Sequence, residues 1–174
     1  FRAVDLEGNI FDQWKMPIKG QPETIFDGKP FVMVDDRDSE VVYNNPWTCE
    51  SMSNARWSNP TWKQRRNQTN CWRSHASFSS NSGDFASLKF TGISIAWIGT
   101  KGNEQGLADV FIDGELVAPD LDTSATKLQY QQILFEKTDL HPGEHEIKIV
   151  VKGKFGAATK RGGAVDIDAF RYTP

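Results

Sequence analysis

Hydrophobic and polar residues alternate along short stretches of this chain. Ile93, Ile95 and Trp97 fall on one face of an extended segment, and residues 144–152 alternate in the same way. A period of two residues is typical of a β-strand with one buried face. The pattern therefore predicts strands here, with Trp97 in the core or on the floor of a groove.

Turn signals separate these stretches. Asp113-Gly114 predicts a tight hairpin, because Asp-Gly readily adopts the positive φ values of such turns. Residues 127–137 fit a strand, with a helix as the alternative. The predicted strands are residues 30–34, 40–43, 74–79, 85–90, 93–98, 107–112, 115–118, 127–137, 144–152 and 164–172.

No stretch has the period of an amphipathic helix, so the chain is predicted to be all-β. Many short strands with regular turns favour a β-sandwich, here a jelly roll of about eight to ten antiparallel strands. Residues 1–30 are irregular and rich in Gly and Pro, which indicates an N-terminal extension or linker packing on the domain. Residues 31–174 would form the sandwich.

One segment, residues 47–75, differs from the rest in composition. It holds four of the six tryptophans and both cysteines, Cys49 and Cys71. The cysteines lack metal-ligand spacing, so a disulfide closing the segment is expected, with two unpaired thiols as the alternative. A long irregular segment with this aromatic content predicts a binding surface.

Charge is distributed unevenly along the chain. Residues 51–83 carry five basic residues and no acidic one, and residues 147–165 repeat this pattern. Because the formal net charge is −3, the remainder is strongly acidic. The asymmetry indicates either an anionic partner or two solvated loops.

Four motifs carry a resemblance to a known family. They are FTGISIAWIGTKG at 90–102, GLADVFIDG at 106–114, LHPGEHEIKI at 140–149 and VDIDAF at 165–170. Over residues 31–172 the succession resembles the jelly-roll carbohydrate-binding modules appended to bacterial glycoside hydrolases and other glycan-degrading enzymes. The resemblance implies a non-catalytic, lectin-like module, monomeric and part of a larger multidomain chain. It also implies a secreted or cell-surface location, extracellular or periplasmic.

The resemblance also implies a possible structural calcium ion. Related modules often hold one with an acidic residue near the first strand and another in the last. Calcium takes six to eight oxygen ligands, whereas aspartates in turns often serve only to bend the backbone. The candidate ligands are Asp36, Asp38, Glu40 and Asp168, with Asp35 and Asp166 as further possibilities.

Sugar recognition needs an aromatic face for the pyranose C–H groups and planar polar partners for the hydroxyls. Guanidinium groups would add charge-assisted pairing with sulfate or carboxylate. Related modules usually have a short connection where this chain carries residues 47–75. Because Trp, Arg and Asn are concentrated in this segment, the ligand is expected to be an anionic (sulfated or uronic) or galactose-rich polysaccharide. The predicted carbohydrate-binding residues are Trp57, Trp62, Trp72, Arg56, Arg65, Arg66, Arg73, Asn70 and His75.

Other classes fit less well. The Gly-rich loop at 99–106 precedes a strand rather than a helix, which argues against phosphate binding. The three histidines are dispersed, so an enzyme is a weaker alternative than a structural module that contacts other proteins. Interleaved Arg and Trp can bind nucleic acid, but the acidic remainder argues against it. No apolar run approaches the roughly 20 residues of a membrane helix, so no membrane partner is expected.

Overall fold

The computed structural model describes residues 3–4, 10–11, 24–26, 29–44, 63–66, 71–72, 75–159 and 162–174. Side chains are described from residue 30 onward within these ranges, except those of residues 63–66 and 75. Among the described residues, no helix is long and apolar enough to cross a membrane. The strands are β1 (Ala3–Val4), β2 (Ile10–Phe11), β3 (Thr24–Phe26), β4 (Lys29–Asp35), β5 (Val41–Tyr43), β6 (Lys63–Arg66), β7 (His75–Ser79), β8 (Phe85–Gly92), β9 (Ser94–Lys101), β10 (Gly106–Ile112), β11 (Glu115–Asp122), β12 (Gln129–Lys137), β13 (Gly143–Phe155), β14 (Val165–Ile167) and β15 (Ala169–Thr173).

Two five-stranded antiparallel sheets form the sandwich. One has the order β11-β10-β13-β8-β5 and the other β12-β9-β15-β4-β3. In the second sheet, β4 pairs with β15 through Val34 opposite Phe170, so strands from the two ends of the sandwich lie side by side. The predicted all-β jelly-roll sandwich is confirmed, and its two main sheets contain ten strands.

The hydrophobic core draws side chains from both sheets. Leu88, Ile147 and Ile149 come from the first sheet, and Trp97 and Phe170 come from the second; each is at most 1% exposed. Complete burial of side chains of this size stabilises a fold by about 1.5–3 kcal/mol each. The indole N–H of Trp97 donates to the main-chain oxygen of Asp166 at 3.0 Å, so Trp97 belongs to the core.

Two predicted elements form as expected. Asp113 and Gly114 have φ values of 52° and 83°, which make the tight hairpin between β10 and β11. Residues 127–137, for which a helix was the alternative, contain the strand β12, which pairs with β9.

The prediction of one closing strand at 164–172 is wrong. The chain changes partners at Asp168: β14 pairs with β7, whereas β15 pairs with β9 and β4. Asp168 lies between β14 and β15, and its main-chain N–H donates to the main-chain oxygen of Ile98 at 3.0 Å. As a result, β14, β7 and β6 form a separate three-stranded sheet.

The first thirty residues also contribute strands. β3 adds to the edge of the second sheet beside β4, and β1 and β2 form a two-stranded sheet. Part of the segment predicted as an extension therefore pairs directly with the sandwich.

Candidate functional site

Most of the predicted carbohydrate-binding side chains lie outside the described residues. Only the main chain is described for Arg65, Arg66 and His75, and the side chain of Trp72 is half-buried. The role of these residues stays a prediction, as does the disulfide, because Cys49 is also outside the described part. The predicted binding residues that lie outside it altogether are Trp57, Trp62, Arg56, Arg73 and Asn70.

Among the described residues, two connections attach the Trp-rich segment, residues 47–75, to the rest of the domain. β6 pairs with β7 in a register that places Arg66 opposite His75 and Lys63 opposite Phe78. Near the end of the segment, the main-chain N–H of Trp72 donates to Oδ1 of Asp168 at 2.6 Å, and the adjacent Cys71 is buried. The segment is thus anchored to the part of the sandwich where β14 meets β15.

Beneath this anchor lies a cluster of four buried aspartates, which we call the aspartate cluster. Its members, Asp35, Asp36, Asp166 and Asp168, are each at most 1% exposed. The β4 end supplies two of them, and the β14–β15 junction supplies the other two. Burial of several carboxylates is costly unless hydrogen bonds, protons or a cation compensate their charge.

Hydrogen bonds from buried groups compensate the Asp166 carboxylate. The main-chain N–H of Thr100 donates to Oδ1 at 2.7 Å, and Nε2 of Gln105 donates to Oδ2 at 3.0 Å. Thr100 and Gln105 are at most 2% exposed, and neither was identified from the sequence. The Gly-rich loop that contains them therefore supports the core, which is a role that its composition did not indicate.

Asp36 is held by groups from neighbouring strands. Its Oδ2 accepts a hydrogen bond from Oγ of Ser77 at 2.7 Å, and its main-chain oxygen accepts one from the hydroxyl of Tyr43 at 2.7 Å. Burial, followed by the negative charge of Asp36, raises the pKa of Tyr43 well above its usual range. Tyr43 therefore remains a neutral hydrogen-bond donor at physiological pH.

Asp168 is a strongly perturbed member of the aspartate cluster. Burial raises its pKa to about 8, and the charges of Asp166, Asp36 and Asp35 add to the increase, whereas the Trp72 N–H opposes it. Its Oδ2 is buried and has no hydrogen-bond partner among the described residues. An oxygen in this position suits either a bound proton or a cation.

The four predicted calcium ligands do not all meet at one point. Asp36 and Asp168 lie in the aspartate cluster, where the main-chain N–H of Asp36 donates to the oxygen of Asp168 at 3.3 Å. Asp38 is half-buried and accepts the main-chain N–H of Asp35 at 3.0 Å, as expected for an aspartate that stabilises a turn. Glu40 is exposed. Within the described part of the chain, no three His, Cys, Asp or Glu side chains form a group that could hold a metal ion.

Comparison with known proteins gives two relatives from Flavonifractor plautii. The chain is 32% identical over 151 residues to a protein named A type blood alpha-D-galactosamine galactosaminidase, covering 87% of the chain and 12% of that protein. It is 28% identical over 142 residues to an A type blood N-acetyl-alpha-D-galactosamine deacetylase, covering 82% of the chain and 15% of the deacetylase. The chain thus spans only a small part of each relative. No family model matches it.

Solved structures align with this chain at low sequence identity. A two-domain esterase active on acetylated mannans aligns with a TM-score of 0.52 and 13% identity, over 87% of this chain and 39% of the esterase. A family 35 carbohydrate-binding module from Clostridium thermocellum aligns with a TM-score of 0.47 and 13% identity, over 81% of this chain and 95% of the module. At this identity, the likeness to the esterase concerns the fold alone.

Proposed function

We propose that this chain is a non-catalytic glycan-binding module of a secreted bacterial polysaccharide-degrading protein. The observation that carries the proposal is the alignment with two longer proteins named as enzymes. The galactosaminidase aligns over 87% of this chain and 12% of its own length, and the deacetylase over 82% of this chain and 15% of its own length. A unit of this size that recurs in larger glycan-active proteins is expected to supply binding rather than the reaction itself.

The described carboxylates support a non-catalytic role. A strongly raised carboxyl pKa often marks an active site. Asp168 has this property, but it is 0% exposed and hydrogen-bonded to Trp72, so its side chain cannot reach a glycan. The perturbation reflects burial inside the sandwich.

The proposed ligand is an anionic or galactose-rich polysaccharide, and the proposed binding surface is the Trp-rich segment. Its tryptophans would stack on sugar rings, and its arginines would pair with sulfate or carboxylate. The names of the two relatives favour the galactose-configured alternative. Because β6 pairs with β7, this part of the Trp-rich segment is held against the rest of the domain, which supports its use as a binding surface.

Affinity gel electrophoresis tests this function. The chain is run through gels that contain neutral, galactose-rich, uronic or sulfated polysaccharides, and product release is assayed on the same panel. Retardation without product release is the expected result. Retardation by no glycan would overturn the proposal, and sugar release would replace it with an enzymatic function. Loss of retardation at high salt would identify an anionic ligand.

We also propose a structural calcium ion at the aspartate cluster, with oxygens from Asp36 and Asp168. The donor set fits this hard cation, because it consists of oxygens only and includes the buried Oδ2 of Asp168. Main-chain carbonyls and water often complete such sites, so three converging carboxylates are not required. A bound calcium ion would neutralise charge that otherwise opposes folding and would fix the junction where Trp72 is anchored.

A further inference from the structure

An exposed aromatic side chain stands at the end of the sandwich where β13 finishes. Phe155 is the last residue of β13 and is 56% exposed, the largest value among the exposed large hydrophobic residues of the described part. A single exposed hydrophobic residue is common on protein surfaces. Phe155 differs from an ordinary exposed hydrophobic residue in the close packing of the main chain around it.

The main chain at Phe155 is fixed by a close approach of three segments. Phe155 lies opposite Gly106 on β10. A Cβ atom on Gly106 would lie 2.3 Å from the main-chain oxygen of Lys154 and 2.4 Å from Cα of Gly163, so only glycine fits there. The N–H of Gly106 also donates to the oxygen of Ala164 at 2.8 Å. The main chain that carries the Phe155 ring is therefore tightly packed.

The residues after Phe155 are held by two neighbouring loops. The N–H of Ala157 donates to Oδ2 of Asp122 at 2.7 Å, and the N–H of Ala158 donates to Oγ of Ser124 at 3.0 Å. The hydroxyl of Thr159 donates to the main-chain oxygen of Asn103 at 2.5 Å. These bonds join the loops after β9, β11 and β13 into one surface, which we call the loop platform.

The loop platform combines an apolar ring with exposed polar groups. Lys154 precedes Phe155 in sequence, and Asn103 and Glu104 are exposed on the adjoining loop. Leu128, at 54% exposure, belongs to the same end, since a Cβ on Gly102 would lie 2.9 Å from its Cδ1. A pyranose has an apolar C–H face edged by hydroxyls, and an aromatic ring on a surface that also exposes amide, carboxylate and ammonium groups complements it. A side chain on a tightly packed main chain loses less conformational entropy on binding than one on a mobile loop.

We infer that Phe155 is a sugar-stacking residue and that the loop platform forms a glycan-binding subsite. This inference rests on the proposed function and extends it to residues outside the Trp-rich segment. Stacking removes the exposed face of the ring and the C–H face of the sugar from water, which is favourable in proportion to the area buried. The subsite would take one pyranose unit of the polysaccharide.

Substitution of Phe155 tests the inference in the intact chain. Phe155→Ala is expected to weaken binding to the retained polysaccharide by roughly tenfold or more, since the loss of one stacked ring is comparable to the burial of a hydrophobic side chain. Phe155→Trp is expected to retain binding. Val42→Ala is the matched control, because Val42 is 55% exposed on β5, the edge strand on the opposite side of the first sheet from β11.

The outcomes separate the inference from the proposed function. If the wild-type chain binds a glycan and Phe155→Ala binds it equally well, the subsite is wrong and the proposed function stands. If the wild-type chain binds no glycan, the proposed function fails and the subsite fails with it. If Phe155→Ala changes the sedimentation coefficient instead, the ring belongs to a protein interface and the inference is overturned. Phe155→Leu, which keeps apolar bulk without a ring, should lose binding like Phe155→Ala and guards against an effect of altered folding.

Discussion

His145 makes two contacts that require a protonated ring. Its Nδ1 lies 2.7 Å from Oδ2 of Asp113, and its Nε2 lies 2.6 Å from the main-chain oxygen of His141. Both oxygens can only accept hydrogen bonds, so both ring nitrogens must donate. The His141 carbonyl and then the Asp113 carboxylate raise the pKa of His145. The Phe90 ring, 5.6 Å away between centroids, covers the imidazole from β8.

Asp113→Asn removes the charge from this arrangement with little change in the backbone. Asp113 has a φ of 52°, a conformation that asparagine adopts readily, so the hairpin should form as before. Asp113 is 48% exposed, which limits the charge pair to about 0.2–1 kcal/mol. For a protein of this length, that corresponds to a decrease in melting temperature of up to about 4 °C.

The effect should depend on pH in a defined direction. The pKa of His145 is raised in the folded state. The stabilisation from its contact with Asp113 is therefore fully present below the unfolded pKa of about 6.5 and is lost as pH rises through the folded pKa. Burial would raise the pKa of Asp113, but the His145 contact and the Glu146 N–H lower it overall, so its contribution is lost only in acid. The stability difference between wild type and Asp113→Asn should therefore be largest near pH 5.5 and small near pH 9.

Urea unfolding at the two pH values measures this difference. Asp120→Asn is the matched control, because Asp120 also has a positive φ, of 49°, and pairs with Lys152 at 2.8 Å. Lysine remains charged across this range, so the effect of the control should not change between pH 5.5 and 9. An Asp113→Asn effect that is equal at both pH values, or larger at pH 9, would refute the protonated His145 contact.

Three further predictions concern the calcium site, the disulfide and the packing at Gly106. Calcium should raise the melting temperature of the wild-type chain more than that of Asp168→Asn, and Asp168→Asn should be the more stable of the two in EDTA; an equal response of both proteins to calcium would contradict the proposed site. Peptide mapping without reduction should find Cys49 and Cys71 in one cross-linked species, whereas alkylation of both thiols without reductant would contradict the disulfide. Gly106→Ala should cost about 1–3 kcal/mol in urea unfolding, since its Cβ would lie 2.3 Å from the oxygen of Lys154, and unchanged stability would contradict that packing.

Local patterns were sufficient to predict much of the fold. The hairpin at Asp113-Gly114 follows from turn chemistry, and the alternation around Trp97 follows from burial. The sequence could not show that the closing stretch divides at Asp168, because both halves have strand character and only tertiary pairing assigns them to different sheets. It also left the identity of β12 open, since its polar and apolar residues fit more than one period.

The candidate site was predicted less completely, because its groups converge from distant parts of the chain. The resemblance named Asp36 and Asp168 as candidate calcium ligands; both are buried in the aspartate cluster, and their role as ligands stays a prediction. Gln105 and Ser77 could not be identified, since a lone polar residue has no pattern that marks it as buried. The sequence did not single out Phe155, because the predicted strand ended at residue 152 and a lone aromatic residue beyond it has no pattern that marks it as exposed.

Glycan binding is the central claim, and a glycan array tests it most directly. The wild-type chain is applied to immobilised neutral, galactose-configured, uronic and sulfated glycans, with A-type blood-group structures included. We predict saturable binding to at least one galactose-configured or anionic group, without cleavage of the immobilised glycan. Binding to no glycan on the array would contradict the account.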